Sequence, residues 1–144
     1  MSDIQSSAVR ASAGPAWRRG LWIAQLVLSV FFGAVGSLNF FLSPIALTAM
    51  GLNYATEIPL SLLRFIGVSQ LAGAAGLILP ALTRIMPRLT PLAALGLATI
   101  QILSIAFHLV RGELAEMTPM IVLPVAWSLF VFWGRTWKAP IAPR

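Results

Sequence analysis

Five polar side chains stand inside otherwise apolar runs of the sequence: Asn39, Arg64, Gln70, Gln101 and His108, with Ser37 and Ser104 beside them. Polar groups are expensive in hydrocarbon, so their positions carry information about ligands or helix contacts. Arg64 offers a fixed positive charge to a carbonyl, carboxylate or phosphate. His108 is the one histidine of the chain. Of the five it alone changes charge near neutral pH, and it is the candidate for acid–base catalysis. The three amides can donate and accept hydrogen bonds. At 100° per residue, Gln101, Ser104 and His108 fall within about 60° of one another on a helix. Arg64, Gly67 and Gln70 form a looser stripe. Other chemistries lack their residues. With no cysteine there is no thiolate nucleophile or thiolate metal site. One histidine cannot make a structural metal site, and no metal is expected. Met50, Met86, Met117 and Met120 are the candidates for a haem partner, but methionine in an apolar chain is normally packing, so haem is not expected.

The elements that must hold these residues are membrane spans. Of 144 residues 58% are hydrophobic and 10% are charged, with a mean hydropathy of +0.88. Soluble domains carry roughly 25% charged residues. The composition excludes a disordered chain, a coiled coil and a conventional soluble enzyme. Crossing about 30 Å of hydrocarbon takes roughly 20 apolar residues. Four runs qualify: about 21–42, 60–79, 89–110 and 117–134. Pro119 falls where a first helical turn tolerates proline, and Pro124 should kink the fourth span. The expected fold is all-α, a polytopic membrane protein built as a compact four-helix bundle. Residues 1–16 read as a disordered tail, 17–137 as the transmembrane domain and 138–144 as a second tail.

Charge sets the expected orientation. Eight basic residues (Arg10, Arg18, Arg19, Arg84, Arg88, Arg135, Lys138, Arg144) fall on one side of a four-span chain and two (Arg64, Arg111) on the other. That bias places both termini in the cytoplasm. Trp17, Trp22, Trp133 and Trp137 would then form an aromatic belt on that side. The net charge of +6 is explained by this orientation, and no nucleic-acid partner is expected. The segment 43–59 reads as a short interfacial helix or re-entrant loop on the outer face. Small residues four apart, Gly33/Ser37 and Ser69/Gly73, predict a close contact of spans one and two.

All five polar residues lie at or outward of mid-membrane, which predicts an outward-opening polar pocket with Phe40, Phe41, Phe65 and Trp127 in its walls. Plainer roles remain open for each. Arg64 can snorkel to headgroups, His108 can cap a helix end, the glutamines can bond helix to helix, and Ser37 and Asn39 can cap span one.

The run from Arg64 through Gly67, Gln70, Gly73 and Gly76 to Pro80 resembles the second helix of the DoxX-like membrane proteins. The run from Leu89 through Pro91 to His108 and Glu113 resembles their third, and Gly36–Phe40 the end of their first. The resemblance covers about residues 20–135. It implies a four-helix protein of the bacterial inner membrane, with relatives linked to membrane oxidoreductases and quinone reduction or to assembly roles. Relatives commonly carry Lys at the place of Asn39 and an acid at that of Gln70. Here an amide–amide hydrogen bond would replace an ion pair.

These observations lead to one expected function and three alternatives. The first is an accessory or redox-associated subunit holding a quinone-like or lipid-like molecule, with quinone the one cofactor the resemblance suggests. Its partners would be the bilayer and either a membrane oxidoreductase or a second copy. The alternatives are an assembly factor without a ligand, a small transporter, and an enzyme using His108. The leaning is against enzymatic activity by the chain alone.

Overall fold

The structure is a computed structural model and describes residues 14–144, side chains at positions 116 and 117 apart. It contains five α-helices: α1 (Pro15–Phe41), α2 (Pro44–Ala49), α3 (Leu60–Thr83), α4 (Leu89–Val110) and α5 (Leu114–Trp133). One 3₁₀ turn covers Asn53–Thr56, and a π-helical turn at Gly134–Lys138 continues α5. The described residues contain no strand. Three spans coincide with α1, α3 and α4, and the fourth runs over Thr118–Lys138. Most of the tail expected for residues 1–16 lies outside the described residues, but Pro15 and Ala16 already belong to α1.

Where the side chains point identifies the solvent. Val30, Phe65, Leu103 and Val110 face outward, whereas Gln25, Asn39, Gln70, Gln101 and His108 are buried. A bundle in water would do the reverse. In lipid, polar groups turn inward to find partners and apolar faces meet the acyl chains. The chain is a multi-pass membrane protein.

Both ends of the described chain lie at one end of the bundle, called terminal here, together with the α3–α4 loop. The Arg144 amide donates to the Arg84 carbonyl at 3.3 Å. The segment 43–59 and the α4–α5 turn close the distal end. The central core joins Leu28 and Phe32 of α1, Ala74 and Leu77 of α3, Ala94 and Leu97 of α4, and Val131 of α5.

The α1–α3 contact is closest at Gly36 and Gly67, not at the pairs expected from spacing. A Cβ on Gly67 would lie 2.9 Å from the Gly36 carbonyl oxygen and 2.9 Å from the Phe40 nitrogen. Gly73 instead faces α4, where its Cβ would meet Leu97. Ser37 and Ser69 donate to carbonyls four residues back in their own helices. A lone hydroxyl in lipid can find that acceptor locally, so serine spacing by itself does not mark a helix interface.

Prolines stand deeper in helices than the apolar runs suggested. Because α5 starts at Leu114, Pro119 is past its first turn, and α3 runs through Pro80 to Thr83. Spanning helices tolerate proline because neighbouring groups and local turns re-satisfy the freed carbonyl. Arg84, in the left-handed region at φ 57°, ends α3.

Candidate functional site: a distal cavity between α1, α3 and α4

The distal end of the bundle holds a cavity of about 390 Å³. The first wall comes from α1 and α3. Close approach at Gly36 and Gly67 brings Asn39 within reach of Gln70, and the Asn39 amide donates to the Gln70 side-chain oxygen at 3.0 Å. This is the amide–amide bond suggested by the two departures from the family pattern. Tyr54, delivered by the 3₁₀ turn, donates its hydroxyl to the Asn39 side-chain oxygen at 2.8 Å. Burial pushes the Tyr54 phenol up, against a smaller opposite pull from this bond, so it stays a protonated donor. Segment 43–59 is anchored for this purpose. Ser43 caps α2 by accepting from the Ala46 amide at 3.2 Å, and Leu47, Ala55 and Leu63 form a second small core.

The second wall is one face of α4. Gln101, Ser104 and His108 all line the cavity, as their common angle predicts. Gln101 is 7% exposed as a residue, and its side chain lines the cavity without a hydrogen-bond partner among the described residues. Ser104 likewise makes no bond to a carbonyl of its own helix, unlike Thr99 one turn earlier. His108, 4% exposed, places Nδ1 3.4 Å from the Glu113 carboxylate. Glu113 is in turn gripped by Arg111, at 2.9 Å and 2.7 Å, and Arg111 also pairs with Glu57. The Arg111 hydrogen bond, with His108 assisting, holds the Glu113 carboxyl down at about 2. This cluster ties segment 43–59 to the α4–α5 turn above His108. Apart from Ser69 the remaining lining is apolar, including Phe31, Phe65 and Phe107.

Four of the five expected side chains line this cavity: Asn39, Gln70, Gln101 and His108. Arg64 does not join them. Its Nη1 donates to the carbonyls of Asn39 and Leu42, at 2.7 Å and 2.8 Å. Those carbonyls end α1 and have no helical partner, so the guanidinium is drawn to them. Phe40, Phe41 and Trp127, expected in the walls, do not line the cavity, while Phe65 does. The cavity is thus polar on two sides but holds no fixed charge.

Two contributors escaped the sequence reading. Tyr54 had one signal, being the only tyrosine in the chain. Gln25, in the terminal half of α1, is the second, and its signal was a lone amide within the first apolar run. It donates to the Leu77 carbonyl at 2.6 Å and accepts from Arg135 Nε at 2.6 Å. Arg135, counted above as an orientation charge, is 5% exposed and packs over Trp22. The terminal tryptophans do gather there, with Trp17 edge-on to Trp133 at 5.8 Å. No cluster of three or more potential metal ligands occurs among the described residues.

Fold and cavity define a class: a small polytopic helical membrane protein with a buried, uncharged polar chamber at one end. Within that class the chain belongs to the DoxX-like family, whose sequence model matches residues 23–131. No curated protein and no solved structure matches the chain.

Proposed function

We propose that this DoxX-like protein is an accessory membrane subunit that binds a neutral amphiphile of the quinone or isoprenoid type in the distal cavity. The observation that carries the reading is the Gln101 side chain, which lines the mostly apolar chamber without a hydrogen-bond partner among the described residues. A ligand carbonyl or hydroxyl in the cavity would give that amide a partner, a bond worth about 0.5–1.5 kcal/mol net. Ser104 and His108 stand on the same helix face to share that head. With Arg64 committed to the end of α1, a carboxylate or phosphate head would find no charge partner, so a neutral head is favoured. His108 and Glu113 would orient the head group. Arg111 keeps Glu113 ionised, which suits it to fix the imidazole and not to take up protons.

In this reading the protein sits in the bacterial inner membrane with both termini cytoplasmic and the cavity toward the outer face. Burial of Arg135 leaves seven exposable basic residues on the terminal side against two distal ones, so the bias survives. A reporter fused after Arg144 should be active in the cytoplasm.

Lipid-extract mass spectrometry on the purified protein tests the ligand. A co-purifying neutral quinone or isoprenoid, lost in Gln101→Leu while the bundle stays folded, is the expected result. An extract matching bulk membrane lipid, unchanged by that substitution, would refute it.

A further inference from the structure

The distal cavity does not end at Gln101. A shallow open groove runs along the outer seam of α3 and α4, and it shares Ser69 and Ile100 with the cavity. On α4 the lining passes without a break from Leu89 through Leu92, Gly96 and Ile100 to Ser104 and His108. These positions recur every three or four residues, so the lining forms a stripe that winds about 160° around α4 between Leu92 and His108 at 100° per residue. The α3 side is kept low by Ala72, Gly73 and Gly76. Small residues alone would mark no site. Here they lead into a chamber that contains Gln101, a buried residue whose side chain has no partner among the described residues.

One wall of the cavity reaches the lipid-facing surface. Phe65 on α3 and Leu103 on α4 both line the cavity, and they are 69% and 65% exposed. That side of the cavity therefore borders the membrane-facing surface of the bundle. At the distal end Tyr54 lines the cavity, and the Glu57–Arg111–Glu113 cluster joins segment 43–59 to the α4–α5 turn.

Length selects the occupant. From His108 to Leu89 the lining spans 19 residues, or about 28 Å at 1.5 Å per residue. The hydrocarbon core is about 30 Å thick, so one leaflet supplies about half of that. The acyl tails of a phospholipid anchored at the distal surface would stop near the middle. A single long chain would fill the whole track.

We propose that a single long isoprenoid or alkyl chain lies in the α3–α4 seam, with its neutral head in the distal cavity, after entering sideways from the membrane between Phe65 and Leu103. This rests on the cavity reading above and adds the path, the orientation and a requirement for chain length.

Gly96 allows a clean test. It lines the seam, and a Cβ there would meet nothing within 4 Å, so a larger side chain can start into the groove without a backbone clash. Gly73 and Gly76 lack that freedom, since their Cβ atoms would press on Leu97 and Ala93. The probes are a benzoquinone bearing a long isoprenoid chain and the same benzoquinone without the chain. Binding of each is measured to the full-length protein in nanodiscs. Gly96→Phe should weaken the long-chain probe by about tenfold, the scale of moderate overpacking, and leave the chainless probe unchanged. Leu92→Trp, a second plug in the seam, should act alike. Val30→Phe, on an exposed face of α1 away from the seam, should change neither. Unaltered long-chain binding in both plugged variants would overturn the tail track. Failure of the wild-type protein to bind the chainless probe would instead overturn the head site, and the track with it. If the plugs release a co-purified protein helix and spare the long-chain probe, the seam is a helix-docking face and the proposal fails.

Discussion

Replacing Gly67 by alanine adds one methyl group at the tightest crossing in the bundle, and its effect can be worked from the geometry. The new Cβ would lie 2.9 Å from the Gly36 oxygen and from the Phe40 nitrogen, where ordinary contact begins at 3.4 Å. Both neighbours are backbone and cannot rotate away, so α1 and α3 must separate by about 0.5 Å. One turn away, the Asn39–Gln70 bond is 3.0 Å long. The same separation would stretch it to about 3.5 Å, the margin of hydrogen bonding. Overpacking costs about 1–3 kcal/mol, and a weakened buried hydrogen bond about 1 kcal/mol more. Alanine in a helix returns about 1 kcal/mol relative to glycine. The net expectation for Gly67→Ala is a loss of about 1–3 kcal/mol. Gly96→Ala has open space around its Cβ and should show only the propensity term, a gain of up to about 1 kcal/mol. Unfolding by SDS titration in mixed micelles, followed by circular dichroism, measures both. Equal shifts of the same sign in the two variants would refute the reasoning, because helix propensity alone would then account for them.

Gly73→Leu should also destabilise the bundle by overpacking, by about 1–3 kcal/mol, through α4 at Leu97 and not through α1; an unchanged unfolding midpoint would mean that this face is open to lipid. Glu113 has its folded carboxyl held down at about 2, below an ordinary value near 4.5, so its ionic contacts should be fully present above the ordinary value and lost only as pH falls through about 2. Carboxyl carbon NMR of the labelled protein checks this, and titration of Glu113 near 4.5 would mean that the Arg111 contact does not form. Arg135→Leu should cost about 1.5–3 kcal/mol by stranding the buried Gln25 oxygen, and Gln25→Leu in the same chain should recover part of it. A double variant no more stable than the additive sum would show that the two side chains are not coupled.

The four apolar runs, with too few charges to cover a surface facing water, were enough to establish a helical membrane bundle. That conclusion rests on a solvent property, since a chain in lipid must satisfy its backbone within each helix. The shared face of Gln101, Ser104 and His108 was also legible, because helical periodicity is local and needs no partner. Direction and pairing across helices were not. Arg64 and Gln70 stand six residues apart on one helix, yet one turns to the carbonyls ending α1 and the other to the Asn39 amide. Spacing marked Gly33, Ser37, Ser69 and Gly73, whereas the crossing fell at Gly36 and Gly67. Many small-residue registers are equally good within a single helix, and only the packing of two surfaces chooses among them. Arg135 looked like a charge at the membrane surface until the π-helical turn carried it inward to Gln25, 110 positions away in sequence. Tyr54 reached Asn39 because a small core around Leu47 and Leu63 anchors its loop. Composition and period are properties of one segment and can be read along the chain. The partner of a buried polar group is a property of two segments, and it exists only once the helices have packed.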